Sequence, residues 1–197
     1  LYGAVEFQEA AERAGLKPLV GAMVCSGPDA WAIAAVRDEA GYAELCRLLS
    51  ALHLDPRFSL VEHVAERRPD GIVFLSRSVR TLATLARSVP SDRLYRLPGA
   101  QSRELNLWQS APPAERVPLL LVPDAWFVED ADRECFDWLC ELRRRGGGVQ
   151  LPAMNHPGAV LPAAANWRAT MACDDARIAS FAEACEFRMP VGRTPMV

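Results

Sequence analysis

The sequence lacks several features that would each indicate a particular class of protein. No apolar run approaches the roughly 18 residues of a membrane-spanning helix, and the candidate at residues 117–122 has only the length of a strand. Lysine occurs once among 22 basic residues, and the formal net charge is −3. No basic field is therefore present that could hold nucleic acid by itself. The sequence predicts a protein without a membrane partner, and one that meets DNA only indirectly.

The composition is that of a folded domain. Hydrophobic residues make up 50% and charged residues 24% of the 197 residues, which is typical of a globular chain that buries a core. Six cysteines are a small share of so long a chain, and this predicts reduced, mostly buried thiols and a cytoplasmic location. Leu1 stands where a start methionine would, and a helical pattern follows almost at once. We therefore expect the chain to be a piece of a longer protein.

Strand and helix patterns alternate along the chain. Apolar runs predict strands at 19–24, 31–36, 72–75, 94–97 and 117–122. Helical spacing and capping residues predict helices at 6–13, 38–51, 59–68, 78–87, 103–108, 130–145 and 175–185. In the helix at 130–145 the inward residues are expected to be Phe136, Leu139 and Cys140. This alternation predicts an α/β fold with a largely parallel sheet, open or closed as a barrel, and function at the C-terminal strand ends.

No motif for phosphate binding, nucleophilic catalysis or metal binding is complete. The glycines at 146–148 follow a helix and lack the lysine of a phosphate loop, so they indicate a helix stop. Cys25 follows a strand pattern, but no motif places a histidine to activate it. The three histidines, His53, His63 and His156, are too widely spaced for a metal motif. The residues alone therefore predict no catalytic or cofactor-binding site.

Four stretches carry a resemblance to a known family: residues 1–7 (LYGAVEF), 14–21 (AGLKPLVG), 37–42 (RDEAGY) and 45–50 (LCRLLS). They resemble the N-terminal PHP (polymerase and histidinol phosphatase) domain of bacterial C-family DNA polymerases, the DNA polymerase III alpha subunit and its error-prone relatives. Residues 71–76, 117–128 and 181–190 continue the resemblance in the same order.

The resemblance implies a division of the chain and a fold. Residues 1–190 would be a PHP-like domain, and residues 191–197 would begin a linker toward a polymerase body. The fold would be a partial or distorted (β/α)7 barrel, similar to a TIM barrel, with mostly parallel strands. Its first strand-helix-strand portion, which carries the early metal ligands of the family, would precede this chain and be missing from it.

The resemblance also implies that the metal site is degenerate. Active members of the family bind a trinuclear metal cluster at the strand ends. Where they have a glutamate, a histidine and a cysteine, this sequence has Met23, Trp31 and Arg77, and the closing Asp-x-His is Asp124 followed by Trp126. Met, Trp and Arg do not replace ligands for hard cations. We therefore expect no metal, no cofactor and no catalytic residue here.

The five former ligand positions should still converge at one pole of the domain. A vacated polar pocket has to be filled, because protein interiors are close-packed and buried charges need partners. The two tryptophans and the methionine are bulky enough to fill it, and Arg77 is the cation available to Asp124. The resemblance thus predicts an Arg77–Asp124 ion pair in place of the metal cluster.

The function implied by the resemblance is support of DNA synthesis in replication or repair. The domain would be a non-catalytic scaffold that contacts a polymerase body or other replication and repair proteins. An alternative is a metal-dependent PHP phosphoesterase or 3′–5′ exonuclease that relies on the missing N-terminal ligands. A further alternative is a stand-alone interaction module without an attached polymerase.

Overall fold

The described part of the chain combines helices with one mixed sheet. The computed structural model describes residues 3–26, 30–97, 117–122, 125, 127–146, 160 and 174–190. Its helices are α1 (Ala4–Arg13), α2 (Glu39–Leu54), α3 (Leu60–Arg67), α4 (Val79–Leu85), α5 (Asp132–Arg145) and α6 (Asp175–Ala184). Its strands are β1 (Gly21–Cys25), β2 (Trp31–Val36), β3 (Ile72–Ser76) and β4 (Leu94–Arg96). The helix expected at 103–108 and the linker expected at 191–197 lie outside the described residues.

Local capping signals place the helix ends as the sequence predicts. Asp38, Ser59 and Ser78 each accept a hydrogen bond with the side chain from the backbone N–H three residues further on, at the start of α2, α3 and α4. Gly15 follows α1 with a φ of +72°, the left-handed conformation that glycine adopts after a helix. These caps bind backbone N–H and C=O groups that a helix end leaves without partners.

The sheet has the order β1-β2-β3-β4, and the expectation of mostly parallel strands is wrong for the described strands. The pairs β1–β2 and β2–β3 are antiparallel, and β3–β4 is parallel. Residues 26–30 are too few for the crossover of a dozen or more residues that parallel neighbours need. Between β2 and β3 the chain forms the two helices α2 and α3. The second helix brings the chain back to the end of the sheet where β2 stops, so β3 runs antiparallel to β2. The described strands form an open sheet and not a closed barrel.

The two faces of the sheet are covered by different parts of the chain. One face packs against α2, α3 and α4, and its core is the larger of the two main apolar clusters. The other face packs against α6, through residues such as Phe181 and Cys185, and against the segment 117–122. Both faces are therefore buried, as expected for a sheet inside an α/β domain.

The segment 117–122 was predicted to be a strand, and it forms only an isolated bridge. Leu119 pairs with Arg96 at the end of β4, in parallel orientation. Val117 and Leu120 are buried as predicted. Pro118 has no backbone N–H to donate to a ladder, and this limits regular pairing at the start of the segment.

Helix α5 turns inward two of the three residues predicted to face the domain. Phe136 packs edge-on against Phe127 with ring centroids 5.2 Å apart, and Cys140 is half-buried. Leu139, which was expected inside, is 64% exposed. The prediction is wrong at Leu139 because α5 carries two apolar stripes, and only one of them packs against the domain.

No helix of the described part is both long and apolar enough to cross a bilayer.

Candidate functional site

The candidate site lies where β2 begins and β3 ends. Trp31 is the first residue of β2, and it is buried. Ile33 pairs with Leu75 in the antiparallel register, so continuing that register sets Arg77, just after β3, opposite Trp31. The antiparallel pairing thus brings together two residues that are 46 positions apart in the sequence.

Ser76 fixes the backbone of this site. Its side chain is fully buried, and its hydroxyl group donates a hydrogen bond to the carbonyl oxygen of Trp31 at 2.7 Å. The same hydroxyl oxygen accepts a hydrogen bond from the N–H of Ser78 at 3.0 Å. One buried hydroxyl group therefore ties the end of β3 to the start of β2 and holds the backbone on both sides of Arg77.

The Arg77 guanidinium group packs over the indole of Trp31. Its central carbon lies 5.5 Å from the ring centroid, within the distance of about 6 Å at which a cation is attracted to an aromatic face. Burial lowers the pKa of Arg77, because removing water disfavours the charged form. An arginine titrates so far above neutral pH that it remains charged. The site is therefore cationic and aromatic.

Met23 lies on the same face of the sheet as Trp31. Cys25 pairs directly with Trp31, and Met23 pairs with Ile33, which makes Met23 the diagonal neighbour of Trp31 across the two strands. Met23 packs against the apolar cluster that contains Trp31. The structure thus brings Met23, Trp31 and Arg77 to one part of the sheet.

Two of the five expected site residues, Asp124 and Trp126, lie outside the described residues. The Arg77–Asp124 ion pair therefore stays a prediction. Met23, Trp31 and Arg77 supply a thioether, an indole and a guanidinium group, none of which is an oxygen or imidazole ligand for a hard cation. In the part of the chain that the structure describes, no three His, Cys, Asp or Glu side chains form a group that could hold a metal ion.

The sequence interpretation missed a second arginine at this edge. Arg96 ends β4 and is the parallel register partner of Ser76, so it stands beside the end of β3. Burial lowers the pKa of Arg96 as it does that of Arg77. The sequence did contain a signal for Arg96, namely a charged residue at the end of an apolar strand pattern. The two arginines place two partly buried cationic side chains at this end of the sheet.

A separate cavity of about 410 Å³ lies at the other end of β1. It is an open cavity between α1, the start of β1 and α2, and its lining includes Phe7, Gln8, Leu19, Leu49 and His53. The amide of Gln8 is already engaged with the backbone of Met189. No constellation of acid, base and nucleophile is present among the described lining residues.

No family model matches the chain, and no curated protein matches it either.

Proposed function

We propose that this chain is a metal-free PHP-like domain of a bacterial DNA polymerase III alpha-type subunit, replicative or error-prone, and that it supports DNA synthesis as a non-catalytic scaffold. Its partners would be the polymerase body or other replication and repair proteins in the cytoplasm. DNA would be reached only through them. The proposal rests on the segments that resemble the family and on the contact between Arg77 and Trp31, beside which Met23 packs in the same apolar cluster.

The observation that carries the proposal is the packing of Arg77 over Trp31. The resemblance assigns metal ligands to both positions, and the structure puts a cation and an indole in contact there. A guanidinium group and an indole offer no ligand to a divalent cation, so this pair does not favour metal binding at the same place. The edge of the sheet that would hold the cluster is instead held by a side-chain contact and by the hydrogen bonds of Ser76.

The resembling segments also contact one another directly. The N–H of Arg37 donates to the carbonyl oxygen of Gly71 at 2.8 Å, which joins segment 37–42 to segment 71–76. The carbonyl oxygen of Arg37 accepts hydrogen bonds from the N–H groups of Glu186 and Phe187, at 2.8 and 2.9 Å, which joins it to segment 181–190. Three stretches distant in sequence therefore share one structural junction. This supports the view that the resemblance belongs to one folded unit.

Restoring the ligands is the sharpest test of the former metal site. We would replace all three residues in the product of the complete reading frame, as Met23→Glu, Trp31→His and Arg77→Cys. The proposal predicts that Zn²⁺ or Mn²⁺ raises the melting temperature of this variant by several degrees and leaves the unsubstituted protein unchanged, because an ion stabilises only a native state that binds it. A matched control carries Leu16→Glu, Leu54→His and Arg80→Cys at exposed positions.

Two results would contradict the proposal. Stabilisation of the unsubstituted protein by either ion would favour the phosphoesterase or exonuclease alternative. An equal response of the variant and the control would show that the three positions are not a former metal site. Primer extension by the same complete product tests the polymerase assignment separately, and its absence would favour a stand-alone interaction module.

A further inference from the structure

Strand β1 has an open edge in the described part of the sheet. It is the first strand in the order β1-β2-β3-β4, so β2 pairs with only one of its two sides. Residues 19–25 (LVGAMVC) contain no charged residue and no proline, the residues that usually protect an exposed edge. An edge of this kind is a template for pairing with a further strand.

The register of β1 with β2 shows which backbone groups face outward. The N–H of Val36 donates to the carbonyl oxygen of Val20 at 2.8 Å, so these two residues form a hydrogen-bonded pair. Such pairs recur at every second residue of an antiparallel ladder. Gly21 and Met23 belong to the alternate pairs, and their N–H and C=O groups therefore point away from β2. Within the described part of the chain, no other strand pairs with these groups.

The open cavity of about 410 Å³ adjoins this edge. Val20, Gly21 and Ala22 line it from the side of β1, and the first two turns of α1 line it as well. Ala22 packs on the sheet face that α2 covers. A strand added beside β1 would place every second side chain on this same face. The cavity is therefore the space that one such side chain would enter.

The backbone groups and the cavity together specify the chemistry of the occupant. Outward N–H and C=O groups that repeat every two residues are complementary to another extended backbone. The cavity lining is mainly apolar, with Phe7, Leu19 and Leu49 among its side chains. The amide of Gln8 is engaged on both its atoms by the backbone of Met189. The site therefore favours a strand that carries an apolar side chain.

We propose that the open edge of β1 is a strand-addition site, which binds an extended segment of a partner protein and takes one of its apolar side chains into the adjoining cavity. Main-chain hydrogen bonds supply affinity in this mode of recognition, and the cavity selects the side chain at one position. A single added strand makes a small interface, so we expect dissociation constants in the micromolar range.

Fluorescence polarisation with the full chain tests the binding and its mode. The probe is a fluorescein-labelled nine-residue peptide of alternating valine and threonine, with a leucine at its centre. Its binding should saturate. N-methylation of one alternate set of residues should abolish binding and that of the other set should leave it, because a paired strand turns only every second N–H toward its neighbour. Absence of binding, or equal loss for both sets, would overturn the proposal.

Filling the cavity tests where the side chain lies. Ala4→Trp, in the first turn of α1 and in the cavity lining, should weaken peptide binding by about tenfold or more, because the central leucine loses its buried site. The matched control is Ala10→Trp, at an exposed position of the same helix, which should bind as the unsubstituted chain does. Equal affinities of the two variants would contradict a role for the cavity.

Hydrogen exchange locates the bound strand. The N–H groups of Gly21 and Met23 should exchange faster than those of Ala22 and Val24, which face β2, and the peptide should slow the first two. Exchange that the peptide leaves unchanged at Gly21 and Met23 would overturn the proposal.

Two measurements identify the source of the strand. Sedimentation equilibrium should show a full chain that does not associate through this edge, and the product of the complete reading frame should bind the same peptide. A dimer that Ala4→Trp abolishes would assign the edge to a second copy. A complete product that does not bind the peptide would assign the edge to its own chain. Either result would contradict a partner protein as the source.

Discussion

The buried hydroxyl group of Ser76 donates a hydrogen bond to the carbonyl oxygen of Trp31 at 2.7 Å. This bond joins the end of β3 to the start of β2, beside the contact between Arg77 and Trp31. The hydrogen bond and the cation–aromatic contact both lie at the edge that the resemblance assigns to a metal cluster. A single hydroxyl group sets the backbone that presents Arg77.

Replacing Ser76 by alanine should destabilise the domain by about 1–3 kcal/mol, because it removes the buried hydroxyl group that hydrogen-bonds to the Trp31 carbonyl oxygen and to the Ser78 N–H. Urea unfolding of the full chain measures the change. Ser50→Ala is a suitable control, since its exposed hydroxyl group only donates back to the Cys46 carbonyl oxygen within α2. Equal free energies of unfolding for the two variants would show that Ser76 does not support this edge.

Gly71 should tolerate substitution much less well than Gly15. Both have positive φ, +68° and +72°, so alanine is strained at either position by about 1–2 kcal/mol. At Gly71 a Cβ atom would also lie 2.8 Å from the Cα of Gly41, whereas at Gly15 it would meet no described atom within 4 Å. Thermal unfolding should therefore show a much larger loss for Gly71→Ala than for Gly15→Ala. Similar losses would mean that strain alone acts and that the close approach of the two backbones is unimportant.

Gln8 should anchor the segment that follows α6. Its buried amide donates to the Met189 carbonyl oxygen at 3.0 Å and accepts from the Met189 N–H at 2.7 Å. Gln8→Ala should cost about 1–3 kcal/mol in unfolding free energy and speed hydrogen exchange at Met189. Glu6→Ala, at an exposed position of the same helix, should change little. Unchanged exchange at Met189 in Gln8→Ala would contradict the anchoring role.

His63 should titrate below the usual histidine range. Burial lowers its pKa most, the charge of Arg67 lowers it further, and Glu66 and Glu44 oppose both effects. Because the folded pKa lies below the unfolded value of about 6.5, the neutral form is favoured in the fold. The resulting contribution to stability is fully present above the unfolded pKa of about 6.5. It is lost as the pH falls from there through the lower folded pKa.

NMR titration of the ring protons, assigned with His63→Gln, tests this. The midpoint should lie below about 6.5, and Arg67→Gln should raise it. Arg87→Gln, at an exposed position after α4, should leave it unchanged. A midpoint above the usual value would show that the two glutamates outweigh burial and Arg67.

Sequence patterns predicted the parts of the fold that depend on near neighbours. The strand from Trp31 to Val36 and the cap at Asp38 are confirmed, because strand propensity and capping act within a few residues. The direction of β1 and β3 relative to β2 was missed, since strand pairing depends on contacts between distant segments. Leu139 was placed on the wrong side because helical spacing reveals a stripe but not which of two stripes is covered.

The candidate site was likewise predicted only in part. The resemblance pointed to Met23, Trp31 and Arg77, and the antiparallel register explains why they share one part of the sheet. The contact between Arg77 and Trp31 could not be derived from spacing, because it depends on the pairing of β2 with β3. Arg96 was missed because its neighbour in the sheet, Ser76, is 20 positions away in the sequence.

Metal content is the most direct test of the central claim that this is a metal-free scaffold. The product of the complete reading frame would be treated with EDTA, incubated with Zn²⁺ or Mn²⁺, freed of unbound ions by gel filtration and measured by inductively coupled plasma mass spectrometry. The account predicts retention far below one ion per chain, since Met23, Trp31 and Arg77 supply no ligand for such a cluster. Stoichiometric retention of either ion, lost on substitution of residues at this edge of the sheet, would contradict it.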